Sequence, residues 1–223
     1  MRMMVEFEKM GRMSWFSHLD LQSTMQRALR RAGLPVRYSQ GYNPHVNLSF
    51  ATALPVGCQS RCEILDVELS DDCAPEAFLE RLNECLPDGL KAHRAGLAPD
   101  NAPALMALMT EAEYEITVPG VDVTGGAAAF RDAQEVVVEK RSKTKTREVN
   151  IRPMVHVLDF EWNGSATVLH AILEQTNANG LKAELLMQAI APDQHCQCVR
   201  TAFYAKGKDG QRVGLFEAGL GQA

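Results

Sequence analysis

The sequence predicts an α+β protein made of two mixed units, the first of which has the element order β-α-β-β-α-β. Segments with alternating apolar and polar residues are typical of strands, and apolar residues at helical spacing are typical of amphipathic helices. Glycines and prolines separate the two kinds of segment. The chain has 223 residues, of which 46% are hydrophobic and 23% charged. This composition is typical of a globular protein and excludes a disordered tail or a collagen-like repeat.

Residues 1–98 contain the first six predicted elements. Residues 3–8 alternate as a strand, and a helix over 18–32 follows it. Ser17 is placed as the N-cap of this helix and Gly33 as the residue that ends it. The other predicted elements are strands at 46–50, 63–69 and 90–97 and a helix that begins at Pro75. This order is the ferredoxin-like pattern.

A second, smaller α+β domain is predicted over residues 110–223, after a linker at 99–109 that is rich in turn-forming residues. Its pattern is compatible with another ferredoxin-like unit, although the two halves show no sequence repeat. Residues 139–148 are predicted to form a basic hairpin. The tail after the turn at 208–210 is predicted to be weakly structured.

The apolar runs of the chain are shorter than the ~20 residues that span a bilayer. We therefore expect a cytoplasmic protein that does not associate with a membrane. Six cysteines are too sparse for a disulfide framework in a chain of this length. Cys196 and Cys198, next to His195, have no second pair of ligands nearby. The sequence therefore predicts neither a metal site nor a cofactor.

The formal net charge is −5, which does not by itself indicate a nucleic-acid-binding protein. The charge is unevenly distributed, however. Residues 1–50 carry seven Lys and Arg against three Asp and Glu, and residues 139–152 carry six against two. In contrast, residues 61–90 carry two against nine. One basic face on an acidic protein is compatible with this pattern.

The sequence contains no standard enzyme signature. The phosphate-binding GxxxxGK[ST] loop, GxGxxG after a strand, the GxSxG nucleophile elbow and the HExxH zinc motif are all missing. Whether the protein is an enzyme is therefore left uncertain, with no catalytic activity of its own as the favoured interpretation.

The first predicted helix carries the densest group of candidate residues. Arg27, Arg30 and Arg31 share one flank at i, i+3 and i+4. They could hold a phosphate or carboxylate through bidentate hydrogen bonds, or they could merely complement the helix dipole. His18 and Asp20 are weak candidates for an acid–base pair, with capping and dipole roles as the favoured alternative.

The loop after this helix contains aromatic rings on which a base could stack and polar groups that could bind a ligand. A structured turn with no binding role is an equally favoured interpretation. Glu63, at a strand start, is expected to pair with an arginine of the helix rather than act as a base. The basic hairpin is a candidate finger for RNA phosphates, with a solvated hairpin tip as the default. The loop candidates are Tyr38, Ser39, Tyr42, Asn43 and His45. The basic candidates are Lys140, Arg141, Lys143, Lys145, Arg147 and Arg152.

The chain resembles the radical SAM-linked protein family, a domain of unknown function (DUF2344), over nearly its full length. The matching residues are Ser17, His18, Asp20, Arg27, Arg30, Arg31, Gly33, Ser39, Gly41, Asn43, Pro44, His45, Glu63, Arg152 and Pro153. Members occur alone or fused behind a B12-binding-type radical SAM protein, and some are associated with a ribonuclease of the E/G type. The resemblance implies a stand-alone partner of a radical SAM protein and no established reaction.

Three functions are compatible with these observations. The first is an accessory module that works with a radical SAM enzyme and binds RNA, in tRNA or rRNA modification or processing. The second is an enzyme or binding domain for a small anionic or nucleotide-like ligand, which predicts that His18, Asp20, His45 and Glu63 meet in one pocket. The third is a purely protein-binding adaptor, which predicts an exposed apolar patch and no affinity for nucleic acid.

Overall fold

The computed structural model describes residues 1–141 and 146–222, except for the side chain of Arg141, and it divides the chain into two compact units. The first unit contains Met1–Met109 and the residues from Phe203 onward, and the second contains Thr110–Ala202. The sequence pattern placed all of 110–223 in the second domain, whereas in the structure the chain returns to the first unit at Phe203.

The first unit has the ferredoxin-like arrangement. Its elements are β1 (Arg2–Lys9), a 3₁₀ turn (Gly11–Trp15), α1 (His18–Arg31), β2 (Leu48–Phe50), β3 (Gln59–Glu68), α2 (Pro75–Asn83), β4 (Leu90–Ala98) and α3 (Leu105–Leu108). The strand order is β4-β1-β3, with the short β2 paired to β3, and all these pairs are antiparallel. Each β-α-β connection therefore encloses one strand between its two ends, as the predicted pattern requires.

The core of the first unit lies between its helices and one face of its sheet. From α1 it takes the apolar stripe that contains Leu21, Met25 and Leu29, all buried. The alternating residues of β1 supply Val5 and Phe7. A helix with one apolar stripe packs on a sheet in this way because the period of 3.6 residues keeps those side chains on one side. The opposite flank of α1 is left exposed.

The second unit has the same connectivity. Its elements are β5 (Met109–Pro119), α4 (Thr124–Asp132), β6 (Val137–Arg141), β7 (Thr146–Asn150), a 3₁₀ turn (Arg152–Met154), β8 (Val155–Trp162), β9 (Ala166–Glu174), α5 (Ala183–Ile190) and β10 (Gln197–Lys206), whose residues from Phe203 onward belong to the first unit. The strand order is β10-β5-β9-β8, and the β6–β7 hairpin is inserted between α4 and β8. The ferredoxin-like pattern thus occurs twice, without a visible sequence repeat.

Two further features differ from the sequence-based expectations. β8 was not predicted, because a register shift between Val155 and Val157 interrupts its alternation. The tail was expected to be weakly structured, but it forms β11 (Arg212–Gly214) and α6 (Leu215–Gly219). Phe216 is buried there. A helix of five residues is too short to show a helical period, so the expectation of a loose tail was wrong.

Within the described residues, no helix is long and apolar enough to cross a membrane. The cytoplasmic location stays a prediction.

Candidate functional site

The first helix begins at a complete capping box. The Asp20 backbone N–H donates to Oγ of Ser17 at 3.2 Å, and the Ser17 backbone N–H donates to Oδ2 of Asp20 at 3.1 Å. The Ser17 hydroxyl donates to the same oxygen at 2.7 Å. These hydrogen bonds, led by the one from the Ser17 side chain, lower the pKa of Asp20. Asp20 is thereby engaged in starting α1, the structural role expected from the capping pattern.

The exposed flank of α1 forms one wall of an open groove of about 530 Å³, which we call the arginine groove. Its lining residues are Met13, Phe16, Thr24, Arg27, Arg30, Arg31 and Pro87. The groove thus combines three guanidinium groups with an apolar surface contributed by the 3₁₀ turn and by the segment after α2. The three predicted arginines therefore meet in one concave site.

The contacts of the three arginines are with neutral groups. Arg27 donates from Nη2 to Oγ1 of Thr24 at 3.2 Å. The guanidinium of Arg30 lies 5.9 Å from the ring centroid of Tyr38, a cation–π contact. Arg31 donates to the backbone carbonyl of Cys85. Among the described residues, no carboxylate forms an ion pair with any of the three, although the charge of Arg27 contributes to the lowered pKa of Asp20.

The groove also contains residues that the sequence pattern did not indicate. Met13, Phe16 and Pro87 come from two segments more than seventy positions apart, and only the fold brings them beside α1. A partial signal was present in the apolar run that precedes Ser17. Their side chains give the groove a surface on which a planar or apolar part of a ligand could pack.

The loop after α1 is closed by hydrogen bonds at its base. The Ser39 backbone N–H donates to the His45 carbonyl oxygen at 2.8 Å, and the His45 backbone N–H donates to Oγ of Ser39 at 3.1 Å. Nδ1 of His45 lies 3.0 Å from Oγ of Ser39 and 3.4 Å from the Asn43 carbonyl oxygen. Tyr42, at the tip, is fully exposed. The loop is thus a structured turn whose Tyr38 also reaches α1.

A second cavity of about 580 Å³ lies elsewhere in the first unit. His45 and Gln22 line it together with the ion pair of Arg2 and Asp66. Arg2 donates from Nη1 to the Ala102 carbonyl oxygen at 2.7 Å, so its guanidinium is held by protein groups. This cavity is polar, but its fixed charges are already paired.

The four weak catalytic candidates occupy different places. His18 packs against the ring of Phe50, with the ring centroids 5.2 Å apart. Glu63 is buried in β3 and lies opposite Phe7 in the sheet. Neither cavity described above is lined by more than one of His18, Asp20, His45 and Glu63.

The basic hairpin of the second unit has its own cavity, of about 470 Å³. Lys140 lies opposite Arg147 in the β6–β7 ladder and donates from Nζ to the Gly180 carbonyl oxygen at 3.0 Å. Burial, and to a lesser extent the charges of Arg147 and Lys182, lower the pKa of Lys140. Lys143, Lys145 and the Arg141 side chain, all predicted as phosphate contacts, lie outside the described part of the structure.

Arg152 makes contacts with the protein itself. It donates from Nη1 to the Val155 carbonyl oxygen at 3.2 Å and from Nη2 to the Arg131 carbonyl oxygen at 3.0 Å. Its guanidinium also lies 5.8 Å from the ring centroid of Phe130. These contacts join the last turn of α4 to the start of β8, so the Arg152 guanidinium is held by protein groups.

The described residues contain no group of three or more His, Cys, Asp or Glu side chains arranged to hold a metal ion. Cys58 and Cys62 are buried, and the other four cysteines are partly exposed.

The fold and the groove together define a duplicated ferredoxin-like α+β protein with a basic site on its first helix. The chain belongs to DUF2344, a family described as an uncharacterized protein conserved in bacteria, whose model matches residues 2–183. No curated protein matches the chain.

Among solved structures, the chain is similar to a protein in the "Crystal Structure of a Cbf5-Nop10-Gar1 Complex", with a TM-score of 0.52 and 11% sequence identity. The similarity covers 90% of this chain and 48% of that one, so the chain spans about half the length of the solved protein. At this identity the similarity shows the fold alone.

Proposed function

We propose that this protein binds RNA through the arginine groove and serves as an accessory module of a radical SAM enzyme in tRNA or rRNA modification or processing. The observation that carries the proposal is the convergence of Arg27, Arg30 and Arg31 in one groove where no described carboxylate pairs with them.

Charge and shape both favour a phosphate-bearing polymer as the ligand. A guanidinium donates two parallel hydrogen bonds to a phosphate, and its weak hydration makes it better suited than an ammonium group to this contact. The groove is open, so a chain can pass through it, and its apolar part can accommodate a sugar or base. Because the protein as a whole is acidic, binding should depend on this local basic surface.

The partner in this proposal follows from the family resemblance. Relatives fused to a B12-binding-type radical SAM protein imply that this chain acts with such an enzyme, and some relatives imply a ribonuclease of the E/G type nearby. The loop tyrosines, Lys140 and Arg147 would add contacts to the same RNA. No observation favours the small-ligand enzyme, because its four candidate residues do not share a cavity described here.

The test is a titration of the purified protein with total cellular RNA at low and high salt. Arg27→Ala/Arg30→Ala is the variant of choice, because Arg31 also supports the Cys85 carbonyl and its removal would disturb packing. If two phosphate contacts are lost, the slope of log K against log salt should decrease in magnitude by roughly 1.4 for a single strand. Affinity at low salt should fall as well.

The matched control is Arg37→Ala/Arg61→Ala, which removes the same charge from exposed positions outside the groove. The control should retain most of the affinity and most of the salt slope. An equal loss in both variants would indicate a bulk charge effect and reject the groove as the site. Absence of RNA binding by the wild-type protein at low salt would reject the proposal itself.

A further inference from the structure

A highly exposed tryptophan lies in the 3₁₀ turn that contributes Met13 to the arginine groove. Trp15 ends the 3₁₀ turn and is 71% exposed, whereas Met13 and Phe16, close to it in the chain, line the groove. Tryptophan is enriched at binding interfaces, where its large ring can be buried against a partner.

The turn that carries Trp15 is held by a buried lysine. Lys9 is 1% exposed, and its Nζ donates to the carbonyl oxygens of Phe16 at 2.8 Å and Ser14 at 3.4 Å, the residues on either side of Trp15. The Ser14 carbonyl also accepts the Gly57 backbone N–H at 2.9 Å. Burying an ammonium group costs free energy unless the group is hydrogen-bonded. The hydrogen bonds from Lys9 meet this requirement and also fix the backbone on both sides of Trp15.

Gly57 brings the neighbouring loop close to the indole. A Cβ built on this glycine would lie 3.7 Å from Cζ3 of Trp15, and its φ of +89° is a backbone conformation that glycine adopts without strain. The loop thus approaches the indole at Gly57, while most of the indole surface stays in solvent. Such a preorganised aromatic loses little conformational entropy when a ligand binds.

We infer that Trp15 stacks on an unpaired base of the RNA whose phosphates bind in the arginine groove, which makes single-stranded RNA the ligand class of the site. The inference rests on the proposed function. Base stacking on an aromatic side chain beside a basic groove is the general mode by which single strands are bound, because every base has a π face. Paired bases in an RNA helix are not available for it.

The charge of the site favours RNA over a protein partner. Leu19 and Val56 are also exposed near the same end of α1, and together with Trp15 they could form an apolar docking surface. The adjoining groove, however, presents three arginines without carboxylate partners among the described residues. An anionic ligand with planar groups matches both halves of this surface.

The experiment uses the intrinsic fluorescence of Trp15. The chain has two tryptophans, so Trp162→Phe leaves Trp15 as the single reporter. Titration with oligoadenylate should quench its emission, because a stacked base lies directly on the indole. Titration with inorganic polyphosphate, which has charge and no base, should compete for the arginine groove without comparable quenching.

Affinity measurements with variants test whether the stack contributes to binding. Trp15→Ala should weaken oligoadenylate binding by about 5- to 150-fold, the range expected for one base stack, and leave polyphosphate binding unchanged. Trp15→Phe should recover most of the loss. Leu19→Ala is the matched control, because Leu19 is equally exposed at 71% and has no ring to stack.

The outcomes separate this inference from the proposed function. If wild-type protein binds oligoadenylate through the arginines but Trp15→Ala binds equally well, the inference is overturned and the proposed function stands. Equal losses in Trp15→Ala and Leu19→Ala would also overturn it, because they would show an apolar contact that does not depend on an aromatic ring. If wild-type protein binds no RNA, both fail.

Discussion

Asp20, a candidate acid–base residue from its sequence position, has a structural role in capping α1. Its carboxylate faces the first turn of α1 and accepts hydrogen bonds from Ser17, so it compensates backbone groups that every helix start leaves without intrahelical partners. Its pKa is lowered by those hydrogen bonds. A carboxylate used in this way is stabilised in its charged form and is a poor general acid.

The capping box predicts a pH-dependent contribution to stability. The pKa of Asp20 is lower in the folded protein than its usual value of 3.8, so the contribution is complete above that pH and is lost as the pH falls through the folded pKa. Asp20→Ala should therefore lower the melting temperature at neutral pH, and the difference should shrink in strong acid. Thermal unfolding followed by circular dichroism across this range measures it.

Ser17 provides the control for this prediction. Ser17→Ala should cost about 1 kcal/mol, as for other N-cap serines. In the double variant the two effects should be less than additive, because both substitutions remove the same reciprocal hydrogen bonds. Full additivity would mean that the two residues act independently and that the box does not stabilise α1 as a unit.

At the level of elements, α4 and α5 are in close contact at one glycine. A Cβ built on Gly126 in α4 would lie 2.3 Å from the carbonyl oxygen of Ile190 at the end of α5. The neighbouring Gly125 has nothing within 4 Å of such an atom. Both glycines are in the same helix, so the pair separates helix propensity from packing.

Opposite effects are expected for two chemically identical substitutions. Gly126→Ala should destabilise the second unit by about 1–3 kcal/mol, because α4 and α5 must move apart to accept the methyl group. Gly125→Ala should stabilise it by about 0.5–1 kcal/mol, since alanine is the better helix former. Urea unfolding of both variants decides the question; a stabilising Gly126→Ala would show that the two helices are not in such close contact.

At the level of the whole molecule, the chain leaves the first unit at Met109 and returns to it at Phe203. The returning segment contains α6, where Phe216 is buried. The guanidinium of Arg94 lies over the Phe216 ring, 4.4 Å from the ring centroid. Arg94 in turn donates to Glu6 at 2.8 Å and to Glu217 at 2.6 Å. These contacts tie the C-terminal helix to β1 and β4, beyond the residues matched by the family model.

Removing the buried ring of α6 should therefore weaken the first unit. Phe216→Ala is expected to lower the free energy of unfolding by about 3–5 kcal/mol, the usual cost for a buried phenylalanine. Hydrogen exchange should show the loss in β1 and β4. Lys208→Ala, in an exposed turn of the same segment, should change stability by less than about 0.5 kcal/mol. Little effect of Phe216→Ala would show that the segment is not part of the unit's core.

The sequence-based predictions were correct for elements whose pattern depends only on residues near one another in the chain. The helix over 18–32 and its stop at Gly33 are confirmed, and Gly33 has the positive φ of +58° expected after a helix end. The strand at 155–162 was not predicted because a register shift interrupts its alternation. The C-terminal helix was not predicted because it is too short to show a helical period. Local propensity cannot detect either feature.

Only part of the candidate site could be predicted from the sequence. Helical spacing alone placed Arg27, Arg30 and Arg31 on one flank, and the structure shows them in one groove. The spacing could not reveal that Arg31 also supports the Cys85 carbonyl, nor that Met13 and Pro87 complete the groove. Contacts between segments far apart in the chain depend on the fold and leave no periodic trace.

The sequence by itself determined most of the local elements of this protein, the capping of its first helix and the clustering of three arginines on one helical flank, because these properties depend on neighbours within a few residues. Only the tertiary structure decided that the C-terminal segment belongs to the first unit, that a buried Lys9 holds the exposed Trp15, and that the arginines border a groove. Those features depend on burial and on hydrogen bonds between distant segments, which exist only once the chain has folded.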